Sequence, residues 1–190
     1  MTKNIMIVGV GGQGTLLASK ILGSVLLDKG YDVKVSEVHG MSQRGGSVVT
    51  YVRYGEQVFS PVICEGEAEL LLSFEQLETA RWLPFLKKGG KIMVNRQVIN
   101  PMPVITGAAA YPEGLFEKIR GKGVDLIEID ALSLALQAGN SKAVNVVLLG
   151  LLASKMDIEK ESFIKALHEN VPPKFIDLNL KAFELGFSAK

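Results

Sequence analysis

Sulfur and histidine are scarce in this chain. One cysteine, Cys64, and two histidines, His39 and His168, stand among 190 residues. A single thiol cannot close an internal disulfide, nor can it supply four thiolates to an iron–sulfur cluster or a structural zinc. A reducing cytosol is the simplest setting for such usage, so a cytoplasmic location is expected. An excess of one charge is missing as well. With 21 Lys+Arg against 20 Asp+Glu, the net charge is +1, too small a field to gather nucleic acid or an anionic membrane. Long apolar runs are also absent. The longest late one, Val146–Ala153, falls far short of the roughly 18–20 residues that a membrane span needs. The opening MTKNIMIVGVGGQGTLLASKILGSVLL has the apolar bias of a leader peptide. Its glycines, Gln13 and Lys20 interrupt that bias, and no small-residue cleavage site follows. The expectation is a chain neither exported nor embedded.

What is present is an ordinary globular composition, 47% apolar and 22% charged, with no repeat, low-complexity tract or linker. A single domain over residues 1–190 is expected. Ile5–Gly9 is a short apolar run ended by glycine, the pattern of a buried central strand. Thr15–Leu27 has a helical period, and Asp32–Val38 alternates as a second strand. Ser47–Tyr54 is β-branched and aromatic, and Tyr54–Gln57 reads as a hairpin turn into Val58–Phe59. Two β-runs joined only by a loop cannot form a right-handed parallel crossover, so an antiparallel excursion is implied.

The α/β rhythm then resumes. Strands are predicted over Leu70–Ser73 and Lys91–Val94, the second following a Gly89–Gly90 turn, with a helix over Gln76–Leu86 between them. The proline-rich stretch 101–112 is a connection, with Val104–Ile105 as a short strand. Pro112–Gly121 is helical and Asp125–Ile129 is the last strand. The final third reads as helices over Ala131–Ala138, Lys142–Lys155, Lys160–Glu169 and Pro173–Leu185. In the last of these, Ile176, Leu180, Phe183 and Phe187 form one docking stripe. The fold class predicted is Rossmann-like α/β in three α/β/α layers, with a mainly parallel sheet, an antiparallel excursion and a helical C-terminal third.

Gly9, Gly11 and Gly14 set out G-x-G-x-x-G between a predicted strand and a predicted helix, with Gly12 and Gln13 inside the turn. Glycines there permit a tight turn and let backbone N–H groups approach a phosphate at a helix N-terminus. Glu37 lies where the ribose of a dinucleotide would meet a carboxylate. A bare β–α turn without ligand satisfies the same pattern. A dinucleotide fold also needs the second strand to cross over to a third parallel one, which residues 39–46 do not provide. Those residues hold His39, Gly40, Ser42, Gln43, Arg44, Gly45 and Gly46. They are expected to add a second set of donors beside the first glycine turn, both loops leaving the ends of adjacent strands. Arg44 would offer a planar fork to a carboxylate or phosphate, and His39 and Ser42 further hydrogen bonds. The plainer reading is a solvated charge in a connecting loop. Cys64, with acidic neighbours at Glu65 and Glu67, reads as a passive thiol, and His168 as a surface residue near a helix C-terminus. No catalytic residue and no metal ligand set are assigned.

GVGGQG at 9–14, EVHGMSQRGGSVVTYVRYG at 37–55, SPVI at 60–63 and ELLLSFEQLETARWLPFLKKGGKIMVN at 69–95 together resemble the gamma-type domain of the 2-oxoacid:ferredoxin oxidoreductases. HGMSQRGGS and the chain length are most similar to the small subunits of the indolepyruvate branch. The resemblance is sharp through residue 95 and rests beyond it on the helical pattern alone. It implies a subunit of a complex that oxidatively decarboxylates aryl 2-oxoacids to acyl-CoA on thiamine diphosphate and passes electrons through 4Fe-4S clusters to ferredoxin. The family's thiamine diphosphate–magnesium signature, GDG followed by Asn, does not occur here. By resemblance, thiamine diphosphate, Mg and the clusters belong to a large (alpha) subunit, and this chain alone holds none and is inactive. Its glycine loops would face that partner, substrate or coenzyme A. Two other readings stay open: a stand-alone NAD(P)-dependent dehydrogenase, and a non-catalytic assembly domain.

Overall fold

A computed structural model describes residues 2–40 and 45–189. The expected segment Met41–Arg44, with Ser42, Gln43 and Arg44 of the proposed donor set, lies outside the described residues. Among those described, six strands form one sheet in the order β2-β3-β1-β4-β5-β6. They are β1 (Lys3–Val10), β2 (Asp32–His39), β3 (Ser47–Gly55), β4 (Ala68–Ser73), β5 (Leu86–Asn95) and β6 (Asp125–Ile129). Strands β1, β4, β5 and β6 run parallel to one another, while β3 is antiparallel to both β1 and β2. The implied antiparallel excursion is therefore the β2–β3 hairpin, inserted at the edge next to β1.

Burial follows position in this order. Strand β1 is central, and every residue after Lys3 is buried, hence the unbroken apolar run. Strand β2 is the edge, none of its residues is fully buried, and its sequence alternates with charge. Helix α1 (Thr15–Asp28) covers one face together with α5 (Ala131–Ala138), α6 (Val144–Ala153), α7 (Lys160–Asn170) and α8 (Ile176–Phe187). The opposite face carries α2 (Gln76–Trp82) and α4 (Leu115–Arg120), whose Phe116 and Ile119 pack with Met6, Val8 and Ile92. The three-layer α/β/α architecture stands.

Helix α6 is apolar all round because it is buried all round. Its Gly150 and the Gly186 of α8 bring the two backbones together. A Cβ at Gly150 would lie 2.2 Å from the Phe183 carbonyl oxygen, and one at Gly186 1.9 Å from that of Val147. The predicted α8 stripe does dock, with Phe183 fully buried and Ile176, Leu180 and Phe187 against the same core.

Several local expectations are corrected. Val58–Phe59 is not a strand: Val58 turns inward, Phe59 is 87% exposed, and residues 56–67 form a long loop. Val104–Ile105 belongs to a one-turn helix, α3 (Met102–Ile105), where Pro103 suits a first turn and gives a strand no donor. Helix α2 stops at Trp82 because Pro84 follows, and Leu83–Phe85 is a 3-10 turn. Strand β5 then begins at Leu86 and contains Gly89–Gly90, with a register shift against Ala68–Leu70. Residues 142–143 fall in a 3-10 turn, Ser141–Ala143, and α6 starts after it.

Candidate functional site

The carboxyl ends of β1, β4, β5 and β6 meet at one edge of the sheet, where ligands of open α/β sheets bind. The glycine turn leaves β1 here. The connection from β2 to β3 ends at the same edge, because Ser47 pairs with Val10. The expectation that the two loops leave adjacent strands is corrected, since β3 lies between β1 and β2. They touch nonetheless. The Gly11 N–H donates to the Gly46 carbonyl at 2.8 Å, and the Gly45 N–H to the Gly11 carbonyl at 3.4 Å. These bonds continue the β1–β3 ladder past its last paired residues. The donors of Gly11 and Gly45 are thereby used within the protein, so the second cluster shapes the first turn rather than adding those N–H groups to a wall.

Within the turn each glycine answers a different demand. Gly12 has φ +101° with open space where a Cβ would stand, so the backbone conformation alone selects glycine. Gly14, at φ +84°, begins α1 and lies so close to Asn145 that a Cβ would come 2.7 Å from its Nδ2. Gly9 is buried, and a Cβ there would meet Gln13 and Phe74. Helix α1 has no side-chain cap and no acidic residue in its first turn, which leaves its terminal N–H groups open to an anion. His39 and Gly40 are exposed, and the His39 ring nitrogen Nδ1 lies 3.4 Å from the Gly40 carbonyl oxygen.

Gln13 is a bracket rather than a free donor. Its Oε1 accepts the Val10 N–H at 2.7 Å, and its Nε2 donates to the Phe74 carbonyl at 3.1 Å and to Gln97 Oε1 at 3.0 Å. Asn95, buried at the end of β5, donates to the same Phe74 carbonyl and Gln97 Oε1, and accepts the Ala131 N–H with its own Oδ1. One amide network thus ties the ends of β1, β4 and β5 to the start of α5. Asn145 adds a bond from Nδ2 to the Gly14 carbonyl.

Two clefts flank the turn. The first, about 360 Å³, is lined by Gly11, Gly12, Gly14, Thr15, Leu16, Glu37, His39 and Val48. Glu37, two residues before the end of β2, accepts from Thr50 Oγ1 at 3.2 Å. The second, about 470 Å³, opens on the other side of Gly12–Gly14, toward Gln97, Leu132, Ser141, Lys142, Val144 and Asn145. Lys142 forms no ion pair among the described residues.

Sequence reasoning passed over two buried acids behind this edge. Glu75 caps α2 by accepting the Glu78 N–H at 2.9 Å, and it also takes the Ile99 N–H and the Tyr111 hydroxyl. Burial, and then the bond to Glu75, raise Tyr111 well above the ordinary phenol range. Glu78 accepts from Ser47, Arg81 and Trp82, so it holds the first residue of β3, directly behind Gly45–Gly46. Glutamate is not a preferred cap residue, so neither acid carried a signal in the sequence. Gln97 and Asn145 carried none.

Among the described residues no nucleophile with an adjacent base is found at this edge, and no three His, Cys, Asp or Glu side chains converge as a metal site. Cys64 is exposed in the 56–67 loop and His168 is exposed on α7, both far along the chain from the glycine turn. The site can hold and position a ligand; among its described residues no group is placed to make or break a bond.

Residues 4–189 match the model of the pyruvate ferredoxin/flavodoxin oxidoreductase family. This chain belongs to that family. It is 46% identical over 191 residues to the indolepyruvate oxidoreductase subunit IorB of Thermococcus kodakarensis, covering 98% of this chain and 95% of the relative. In fold it matches the pyruvate oxidoreductase subunit PORC of Thermotoga maritima, at TM-score 0.76 and 22% identity over 99% of this chain and 96% of that one. It also matches part of a 2-oxoglutarate:ferredoxin oxidoreductase from Magnetococcus marinus with 2-oxoglutarate, coenzyme A and succinyl-CoA bound. There the TM-score is 0.68 at 17% identity, over 98% of this chain and 30% of that chain. The β2–β3 hairpin in place of a crossover removes the third parallel strand that a dinucleotide reading of GVGGQG requires.

Proposed function

We propose that this chain is the small subunit, a single gamma-type domain over residues 1–190, of a cytoplasmic 2-oxoacid:ferredoxin oxidoreductase. Its substrates are indolepyruvate and related aryl pyruvates, and its products aryl-acetyl-CoA, carbon dioxide and reduced ferredoxin. The observation that carries the reading is a cleft beside two fused glycine loops, GVGGQG and the one ending at Gly46. The similarity to indolepyruvate oxidoreductase subunits along the whole chain supports the choice of substrate.

The residues of this chain do not fit the complex's cofactors. One exposed thiol cannot ligate a 4Fe-4S cluster, and the sequence has no thiamine diphosphate–magnesium signature. Thiamine diphosphate, Mg and the clusters are therefore assigned to a large (alpha) partner subunit. The role left to this chain is to line the approach to that centre. Open N–H groups at the start of α1 suit a phosphate or carboxylate, and the glycine surface lets a chain-like ligand lie close. Coenzyme A, which the Magnetococcus enzyme holds, has both features. Gly11, Gly12, Gly14, His39, Gly40, Ser42, Gln43, Arg44, Gly45 and Gly46 form the ligand- or partner-facing set, with buried Gly9 and bracketing Gln13 supporting the turn from within.

Purified chain and purified large subunit, separately and mixed, test this through indolepyruvate- and CoA-dependent reduction of ferredoxin. Turnover is expected only in the mixture. Turnover by the small chain alone overturns the assignment. So does micromolar binding of NAD or NADP, about −8 kcal/mol by calorimetry, which restores the dehydrogenase.

A further inference from the structure

The loop between β3 and β4 presents an aromatic side chain to solvent on a backbone that is held fixed. Phe59 is 87% exposed and Val62 is 53% exposed, with Pro61 between them. On either side, Val58 and Ile63 are buried anchors, at 4% and 1%. Arg53 Nη1 donates to the carbonyls of Ser60 at 3.0 Å and Val62 at 2.7 Å, while its Nε is held by Asn4 Oδ1 at 2.9 Å. The Val58 N–H is taken by Asp32 Oδ2, and the far end is tied by bonds from Cys64 N–H to Glu67 and from Gly66 N–H to the Pro84 carbonyl.

A guanidinium committed to two loop carbonyls fixes the loop at the cost of its other uses, yet the side chains so presented cover nothing in this chain. Presenting an aromatic on a pre-ordered backbone is how interface hot spots limit the entropy cost of binding. The loop sits at the end of the sheet opposite the glycine clefts, since Tyr54 pairs with Lys3 at the start of β1. It is not part of the site described above.

Charge decides the occupant. Residues 56–67 contain Glu56, Glu65 and Glu67 and no Lys or Arg. Glu56 and Glu65 are exposed and form no ion pair among the described residues. A second copy of this loop would set three carboxylates against three, an arrangement that opposes association. We infer that Phe59 and Val62 dock into an apolar socket, rimmed by Lys or Arg, on the large subunit of the complex. This rests on the reading of the chain as a small subunit, and makes the Phe59 loop an anchoring contact remote from the glycine clefts.

The test measures the affinity of the purified small chain for the purified large subunit by calorimetry, with wild type, Phe59→Ser and the double variant Glu56→Lys/Glu65→Lys. Phe59→Ser is expected to bind at least about tenfold more weakly, with an unchanged melting midpoint because the ring is solvated. The double charge reversal is expected to slow association, most strongly at low salt. Wild-type affinity for Phe59→Ser, while wild type itself binds, overturns the docking proposal and leaves the functional reading standing. Failure of wild type to bind the large subunit overturns both. Self-association of wild type that Phe59→Ser abolishes, with binding to the large subunit intact, also overturns the proposal, in favour of a second copy as occupant.

Discussion

The Gly11 N–H and the Gly46 carbonyl are joined by a 2.8 Å hydrogen bond, which makes two glycine clusters 35 positions apart in sequence into one turn. The bond extends the β1–β3 ladder beyond Val10 and Ser47. Whatever binds over Gly12–Gly14 therefore meets a surface whose shape is set from both loops.

Gly12→Val tests that surface. A left-handed conformation costs a residue with a Cβ about 1–2 kcal/mol, and at this chain length that lowers the melting midpoint by roughly 2–8 °C. The new side chain would stand in the open space between the two clefts. Turnover of the reconstituted complex is expected to fall more than tenfold at a temperature where the variant remains folded. Full turnover would remove the clefts from the functional site.

Arg44 belongs to the proposed ligand-facing set. Loss of a charge-assisted contact costs about 1.5–3 kcal/mol. Arg44→Ala is expected to depress turnover of the reconstituted complex roughly ten- to hundredfold and to leave the melting midpoint of the isolated chain unchanged. Unaltered rates and Michaelis constants for CoA and indolepyruvate would show that the residue is only a solvated charge.

Gln13 gives a prediction with a sign in pH. In Gln13→Glu the bond to the Val10 N–H survives, but a carboxylate oxygen replaces the donor that meets the Phe74 carbonyl and Gln97 Oε1. Facing acceptors disfavour the ionised form and raise the introduced carboxyl's pKa in the folded state. A raised folded value means the stabilising contribution of the protonated form is present below the unfolded pKa, near 4.3, and is lost as pH rises through the folded one. The variant should trail wild type by about 1–3 kcal/mol at pH 7 in urea titrations, with the gap narrowing toward pH 4. A gap independent of pH would mean that the amide network does not hold the turn.

Tyr54 extends the same linkage to the alkaline side. Burial, and then the neighbouring Tyr31 and Glu69, push its hydroxyl up to about 12 from an ordinary 10.0. Stability should stay level through neutral pH and fall from about pH 10 as the unfolded chain ionises first. Tyr54→Phe should make that limb shallower in a pH series of thermal melts, leaving the part that the raised Tyr111 contributes. An unchanged limb in the variant would remove Tyr54 from its origin.

Gly186→Ala probes the helical layer. The added methyl would press on the Val147 carbonyl, which is backbone and cannot rotate away. Overpacking of this kind costs about 1–3 kcal/mol or more, so a clear loss of melting temperature is expected. Gly89→Ala, where φ is +79° but no atom lies within reach, should show only the smaller backbone cost. Equal effects at the two sites would contradict the close approach of α6 and α8.

Much of this protein was legible in its residues because burial leaves a period in the chain. The unbroken apolar run of β1 marks a central strand, the alternation of β2 marks an edge, and the stripe on α8 marks a docking face. The missing crossover after β2 could be read from a loop that lacks a helical period, and the lack of four thiolates for a cluster from the single Cys64. Strand order could not be read. That β3 inserts between β1 and β2 depends on which edges find partners across the chain, and hydrogen bonds between strands leave no mark on the composition of either. Nor did sequence show that Gly11 donates to Gly46 and Gly45 to Gly11, that Gln13 is a bracket, or that Glu75 and Glu78 are buried. Each of those roles is set by a partner 31 to 84 positions away, and only the folded chain brings such partners within hydrogen-bonding distance.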